Sequence, residues 1–312
     1  MLKRILIYLQ EMYPPAHALA PIIMSIVFFM AMTKLNGYTL IAGMSYWPLV
    51  LATISQLFFV LLIRVMDEFK DYQDDLKNFP NRPLPSGRVL HGDLKLLGVC
   101  IVIIMILLNA WSSLLAVGML LVLVYSLLML KWFFIEERMR KSLPLALLSH
   151  HPIIYCYLLY LSLGFVEFSR INLHQGILPQ EARFIPFLMA IPLAFLSTNW
   201  ELSRKIKPPQ LETSYTTYSK ILGPKIAVIS ALLTQLITFS GVSYYLYLTN
   251  SLAVTIALFI TLALLTMLPY LRFLCTLKTL SPTHETLRVY SEIQAIFVQL
   301  FIALEFLITL YK

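Results

Sequence analysis

Residues 51–75 read LATISQLFFVLLIRVMDEFKDYQDD, an apolar run that ends in a cluster of acidic residues. Four of the chain's five aspartates, Asp67, Asp71, Asp74 and Asp75, lie within nine residues of one another. Concentrated carboxylate at a membrane boundary is unfavourable unless a cation neutralises it. The stretch therefore predicts a membrane-spanning helix that carries a cation-binding site at its end.

The composition of the whole chain is typical of a membrane protein. Hydrophobic residues make up 59% of the 312 residues, whereas soluble domains contain about 45–50%. The mean hydropathy is +0.78. We expect a single domain over residues 1–312, with room for about nine spans of roughly 20 residues each. Because no long apolar run precedes Pro14, no removable signal peptide is expected.

Apolar windows separated by charged residues, prolines or polar clusters predict an all-α fold, a polytopic membrane bundle of nine transmembrane helices. The windows are approximately 16–34, 47–66, 94–110, 112–131, 145–166, 184–203, 224–247, 250–271 and 289–311. The third and fourth windows are separated only by the residues from Asn109 to Ser113, which predict a tight turn.

Basic residues divide unequally between the two sides that nine spans would define. One side carries 20 of the 24 lysines and arginines, and the other carries Lys34, Arg170, Arg183 and Lys312. The positive-inside rule then places the N-terminus in the cytoplasm and the C-terminus on the opposite side. This asymmetry accounts for the net charge of +8, so membrane lipids are expected partners and nucleic acid is not.

Two long polar segments fall on the predicted cytoplasmic side, residues 67–93 (the first loop) and residues 201–223 (the second loop). In the first loop Asp67, Asp71 and Asp75 are spaced four residues apart, which would align them on one face of a continuous helix. Asp74 lies close to the same stripe. Carboxylates are hard ligands for Mg²⁺, which commonly binds one or two of them together with substrate phosphates. A solvated acidic helix end is the alternative interpretation.

A turn with two arginines follows the aspartates. Residues 81–88 read NRPLPSGR, and their prolines and glycine exclude a helix. Arg82 and Arg88 flank this turn, and arginine donors match phosphate oxygens in pairs. The first loop therefore predicts a Mg²⁺–diphosphate site.

Together the Asp-x-x-x-Asp-x-x-x-Asp helix end and the NRPLPSGR turn resemble the UbiA superfamily of intramembrane prenyltransferases. That family carries an Asn-x-x-x-Asp-x-x-x-Asp motif on its second span, so Asp67 stands where the family usually has asparagine. The resemblance extends over the whole chain in its size, its nine spans and its two cytoplasmic motif loops. It implies a prenyl diphosphate substrate, Mg²⁺ as the cofactor and a lipophilic or aromatic acceptor.

The second loop departs from the family, which usually has a second Asp-x-x-x-Asp there. No aspartate follows Asp93 in this chain. By resemblance, Asn199 and Glu201 are candidate metal ligands, and Glu212 is a second candidate carboxylate. Alternatively, Arg204 and Lys205 replace part of the charge of a second metal ion.

Further residues are assigned to the diphosphate by the same resemblance. Tyr125, Ser126 and Lys131 are similar to a family segment whose lysine lies near the diphosphate. The segment from Tyr218 to Gly223, which includes Lys220, is similar to a short polar segment before the seventh span. The residues expected to take part in catalysis are Asp67, Asp71, Asp75, Lys131, Arg204 and Lys205.

The sequence thus favours a transferase that ionises a polyprenyl diphosphate and passes the prenyl group to an aromatic or quinone-like acceptor. A terpene cyclase of the same fold is the main alternative, because it shares the ionisation step and needs no acceptor. A transporter is less favoured, since transporters place ionisable residues within their spans. The predicted spans of this chain are nearly free of acidic residues away from their ends, and Glu305 is the main exception. CDP-alcohol phosphotransfer is disfavoured because the chain has no Asp-Gly pair.

Overall fold

The computed structural model describes residues 1–37, 44–173, 185–213, 216–279 and 285–310. The predicted all-α fold is confirmed, since every regular element in these ranges is a helix. The helices are α1 (Leu2–Met12), α2 (Pro15–Leu35), α3 (Trp47–Lys70), α4 (Tyr72–Asn78), α5 (His91–Asn109), α6 (Ser113–Leu130), α7 (Glu136–Lys141), α8 (Leu143–His150), α9 (Pro152–Leu173), α10 (Ile185–Ser203), α11 (Tyr218–Leu222), α12 (Pro224–Leu248), α13 (Ala253–Thr276) and α14 (Arg288–Leu310). Short 3₁₀ turns occur at Trp132–Phe134 and Pro209–Leu211.

Eight helical segments in these ranges are long and apolar enough to cross a membrane. They coincide with eight of the nine predicted windows: His17–Leu35, Trp47–Lys70, His91–Asn109, Ser113–Leu130, Leu143–Asn172, Pro224–Leu248, Ala253–Thr276 and Arg288–Ile308. Helix α10 occupies the sixth window but is not among the eight, so the count of nine stays a prediction. The sidedness also stays a prediction, and Arg183 and Lys312 lie outside the described residues.

The predicted break between the third and fourth windows is confirmed. Helix α5 ends at Asn109 and α6 begins at Ser113. The Ser112 hydroxyl accepts a hydrogen bond from the Leu115 amide at 3.3 Å, which satisfies one of the unpaired N–H groups at the start of α6.

The chain divides into two compact units, and the single domain over residues 1–312 stays a prediction. The first unit contains residues 1–29, 42–136 and 159–177. Its mostly apolar interior contains a buried polar network, in which the Asn109 amide donates to the Ser55 hydroxyl at 3.1 Å and accepts from the Tyr160 hydroxyl at 2.6 Å. Such bonds are needed because lipid supplies no partner for a buried polar group.

The amphipathic helix α1 is fastened to the rest of the first unit. The Arg4 guanidinium donates to both carboxylate oxygens of Asp93, at 2.6 and 3.0 Å. At its other end, the Tyr13 hydroxyl donates to the Leu57 carbonyl at 3.1 Å. Helix α1 is thereby held against the middle of α3, at Leu57, and the start of α5, at Asp93.

The second unit contains residues 30–41, 137–158 and 178–312, and α10 packs there against α12 and α14. A glycine allows the close approach of α10 and α12, because a Cβ on Gly241 would lie 2.8 Å from the Pro192 Cβ. Near the end of α14, Lys34 and Glu305 form a buried ion pair at 2.6 Å. The Ser251 hydroxyl also donates to Glu305, at 2.6 Å.

Candidate functional site

The helix that carries the acidic cluster is broken at Asp71. Helix α3 ends at Lys70 and α4 starts at Tyr72, with Asp71 at φ −104° and ψ 11° between them. The expected continuous helix with Asp67, Asp71 and Asp75 on one face is therefore wrong. Asp67 lies in the last turn of α3, and Asp75 in α4. Aspartate favours such junctions, since its short side chain competes with helical backbone hydrogen bonds.

Glu68 is part of the acidic cluster, although the spacing of the aspartates does not point to it. Its side chain is 1% exposed and lies 2.6 Å from the Arg64 guanidinium. Neither of its carboxylate oxygens has a hydrogen-bond partner in the described structure. Its position directly after Asp67 and four residues after Arg64 was the available signal.

Asp75 is bound by the first arginine of the turn. The Arg82 Nη1 group lies 2.7 Å from each carboxylate oxygen of Asp75. The Arg82 guanidinium also lies over the Phe79 ring, 3.9 Å from its centre. Asp75 is 7% exposed, so its negative charge is largely compensated within the first loop.

The NRPLPSGR segment folds as a compact turn. The Ser86 amide donates to the Arg82 carbonyl and the Val89 amide to the Pro83 carbonyl, both at 3.0 Å. Leu84 and Val89 are buried and anchor the turn. Gly87 has φ +75°, in the left-handed region that favours glycine.

The backbone of Gly87 yields a first prediction. A Cβ at Gly87 would meet no atom within 4 Å, so the substitution Gly87→Ala acts only through its positive φ. We expect it to lower the free energy of unfolding by about 1–2 kcal/mol. Thermal unfolding in detergent would show this as a lower midpoint.

Gly92→Ala is the matched control for Gly87→Ala. Gly92 also has open space at its Cβ position but lies inside α5 with an ordinary backbone. Alanine there gains about 1 kcal/mol of helix propensity, so this variant should be at least as stable as the wild type. A Gly87→Ala protein that is as stable as Gly92→Ala would contradict the backbone argument.

Arg88, the second arginine of the turn, pairs with α1. Its guanidinium donates to both oxygens of Glu11, one of them at 2.9 Å, and to the Asn81 carbonyl at 2.7 Å. The hydrogen bond lowers the pKa of Glu11 below its ordinary value and raises that of Arg88. Both side chains remain about two-fifths exposed, so an incoming anion can compete with Glu11 for Arg88.

Asp67 lines a small cavity of about 10 Å³ between α3 and α6. Lys70 and Ser126 are its other polar lining residues. The Lys70 ammonium lies 3.9 Å from the centre of the Trp132 ring. Lys131 is exposed at the C-terminus of α6, and its amide donates to the Leu127 carbonyl at 3.1 Å. The structure thus places cationic groups at the ends of both helices.

The acidic cluster suits Mg²⁺ by its chemistry, although it is not a complete metal cage. Five carboxylates, four aspartates and Glu68, lie within residues 67–75. In the described ranges no three acidic, histidine or cysteine side chains are arranged to hold a metal ion by themselves. Both oxygens of Glu68 are buried without a hydrogen bond, and one of them is ion-paired with Arg64. These residues fit a Mg²⁺ ion that takes one or two protein carboxylates and completes its shell with water and phosphate oxygens.

In the second loop Glu201 is held between two cations. One of its oxygens lies 2.5 Å from the Arg204 Nε and the other lies 3.1 Å from the Lys205 Nζ. The spacing of three and four residues explains this, since such side chains meet on a helix face. Arg204 also stacks on the Trp200 ring, 5.1 Å from its centre.

Asn199 belongs to a buried network of neutral polar groups. Its amide nitrogen donates to Gln294 at 2.7 Å, and its oxygen accepts from Ser203 at 3.3 Å and from Gln235 at 3.5 Å. The hydroxyl groups of Ser203 and Tyr270 are hydrogen-bonded at 2.8 Å. The network joins α10 to α12, α13 and α14 within the second unit.

The remaining predicted residues of the second loop have local partners. Glu212 accepts hydrogen bonds from the hydroxyls of Thr217, at 2.8 Å, and Ser219, at 2.5 Å. Tyr218 is buried and donates its amide to the Lys205 carbonyl at 2.9 Å. Lys220 is exposed and donates to the Thr213 carbonyl at 3.0 Å.

Neither of two sequence comparisons, with family models and with curated proteins, gives a match to this chain. No protein-family model matches it. No curated protein matches it either.

Solved structures do match. A UbiA homolog from Aeropyrum pernix K1 in its apo form has a TM-score of 0.65 and 15% identity, covering 92% of this chain and 97% of that chain. A digeranylgeranylglyceryl phosphate synthase has a TM-score of 0.59 and 12% identity, covering 98% of this chain and 96% of that chain. A UbiA homolog from Archaeoglobus fulgidus bound to GPP and Mg²⁺ has a TM-score of 0.53 and 14% identity, covering 98% of this chain and 100% of that chain.

These matches define the class of the protein as a helical membrane protein with the UbiA fold. The resemblance predicted from the acidic helix end and the NRPLPSGR turn is confirmed at the level of the fold. At 12–15% identity the likeness to these three proteins concerns the fold alone. The residues that act in this chain must be argued from its own geometry.

Proposed function

We propose that this chain is a Mg²⁺-dependent intramembrane prenyltransferase. The observation that carries the proposal is the acidic cluster at the end of α3, followed by the arginine turn, in a chain with the UbiA fold. The solved homolog with GPP and Mg²⁺ supports the pairing of a prenyl diphosphate with this metal ion. We place the N-terminus and both loops in the cytoplasm and the C-terminus on the opposite side.

In this proposal the first loop binds the metal. Asp67, Asp71 and Asp74 would offer carboxylate oxygens together with Glu68, and Asp75 would do so after exchanging its bond to Arg82. Bound Mg²⁺ supplies positive charge to the diphosphate and so stabilises it as a leaving group. The buried position of Glu68 and Asp75 strengthens these electrostatic interactions, because little water screens them.

Basic residues of the chain are proposed to bind the diphosphate oxygens. They are Arg82, Arg88, Lys131, Arg204, Lys205 and Lys220, and the proposal includes the Tyr218 hydroxyl. As the carbon–oxygen bond of the substrate breaks, its electron pair stays on the diphosphate, where these cations stabilise the new charge. The allylic carbon is then attacked by the acceptor, which releases a proton and leaves with the prenyl group.

The reaction can be tested by a product screen. The purified protein would be incubated with Mg²⁺ and prenyl diphosphates of several lengths, each with and without aromatic or quinone-like acceptors. We expect a prenylated acceptor and free diphosphate, and no product when EDTA removes the metal. Hydrocarbon released without an acceptor would identify the terpene cyclase instead. If no prenyl diphosphate is consumed under any condition, the enzyme proposal fails, leaving transport as the alternative.

A further inference from the structure

We propose that the second loop binds no metal ion, and that Arg204 and Lys205 bind phosphate oxygens there in place of a metal. The inference rests on the proposed function and specifies its cofactor: one metal-binding centre for each chain, located in the first loop. Three sets of contacts in the second unit support it.

The first set surrounds Glu201. Both of its oxygens already face a cation, Arg204 at 2.5 Å and Lys205 at 3.1 Å. A Mg²⁺ ion on this carboxylate would lie close to two positive charges, and their repulsion would oppose binding. The local sum of two cations and one carboxylate is positive, which favours an anion as the ligand.

The second set surrounds Asn199 and Ser203. These residues are four apart, the separation that would place a pair of metal ligands on one face of α10. The amide oxygen of Asn199 already accepts hydrogen bonds from Ser203 and Gln235, so both of its lone pairs are used. The side chains of Asn199 and Ser203 are 2% and 0% exposed and carry no charge.

The third set involves the other carboxylates on the described part of the second loop and beside it. Glu212 is bound by the hydroxyls of Thr217 and Ser219. Glu285 pairs with Lys207 at 3.3 Å, and Glu292 pairs with Arg288 at 2.7 Å. Each of these three carboxylates already has a donor, and a metal ion would have to displace it.

Arg204 and Lys205 are positioned to bind an anion. The Trp200 ring supports Arg204, and the Tyr218 ring lies 5.8 Å from the Lys205 ammonium. Lys205 is 12% exposed, so its charge is only weakly screened by water. A planar guanidinium beside a compact ammonium matches the several oxygens of a phosphate group.

Manganese stoichiometry tests the inference without relying on catalysis. Mn²⁺ would replace Mg²⁺ as a spectroscopic probe, and bound ions would be counted by electron paramagnetic resonance with an unreactive prenyl thiolodiphosphate present. We expect one Mn²⁺ for each wild-type chain. Glu201→Gln should leave that count unchanged.

Affinity for the analogue supplies the second measurement. The double variant Arg204→Gln/Lys205→Gln should bind the thiolodiphosphate about ten- to hundredfold more weakly, because charged hydrogen bonds are lost, with the Mn²⁺ count still one. Two ions in the wild type, or loss of the ion in Glu201→Gln, would overturn the inference and leave the proposed function standing. If the wild type binds neither Mn²⁺ nor the analogue, the proposed function itself fails.

Discussion

Replacing Asp71 by asparagine is expected to lower the rate of diphosphate release about 100-fold or more. Asp71 lies at the junction of α3 and α4, between Asp67 and Asp75. Asparagine keeps the shape of the side chain but removes the negative charge that is proposed to bind the metal ion. Loss of a preorganised electrostatic contact to the charge formed in the transition state costs about 10²–10³ in rate. The measurement is a steady-state assay of diphosphate with saturating Mg²⁺ and the prenyl diphosphate selected by the product screen.

Asp93→Asn is the matched control for this experiment. Asp93 is the fifth aspartate of the chain and lies outside the cluster, where it pairs with Arg4 of α1. The same chemical change at this position should leave the rate close to that of the wild type. Equal rates for Asp71→Asn and the wild type would contradict the proposal that Asp71 binds the metal ion in the first loop. Equal losses of rate in Asp71→Asn and Asp93→Asn would point to a structural cause.

The second large effect is expected on stability, at the buried pair of Lys34 and Glu305. Their side chains are 5% and 6% exposed. The substitution Glu305→Leu removes one partner and leaves the Lys34 ammonium buried without its counter-charge. Breaking a buried ion pair in this way costs about 3–5 kcal/mol. Thermal denaturation in detergent micelles should show a large fall in the midpoint.

Two further variants separate the ion pair from the loss of a side chain. In Lys34→Met/Glu305→Leu no unpaired charge remains, so most of the lost stability should return. Glu285→Ala breaks the ion pair between Lys207 and Glu285, in which the glutamate side chain is 72% exposed. This substitution should lower the free energy of unfolding by at most about 1 kcal/mol. A midpoint for Glu305→Leu that matches Glu285→Ala would show that the buried pair contributes little.

The helices could be predicted from the sequence because the apolar windows report a local property. Eight windows coincide with helices of spanning length, and Ser112 marks the break between α5 and α6. The break at Asp71 was missed, since four-residue spacing is compatible with one helix or with two. Whether Asp71 ends a helix depends on the competition between its side chain and the backbone, which the spacing does not reveal.

The sequence indicates candidate residues for the site but does not indicate their partners. The chain contains the predicted carboxylates and arginines, but Arg88 pairs with Glu11, 77 residues earlier. Asn199 is bound by Gln235 and Gln294, which belong to α12 and α14. Such pairings depend on the packing of helices that are distant in sequence, so no local sequence pattern predicts them. Glu68 is not predicted for a simpler reason, because the Asp-x-x-x-Asp-x-x-x-Asp motif contains only aspartates.

The fastening of α1 has a consequence for the order in which the protein matures during synthesis. Helix α1 is synthesised before its ionic partners, because Arg88 lies 77 residues after Glu11 and Asp93 lies 89 residues after Arg4. Two predicted spans, α2 and α3, must therefore be translated before α1 can be fixed. At about 5–20 residues per second, several seconds pass between the synthesis of α1 and that of its ionic partners, so these two ion pairs can form only after that delay.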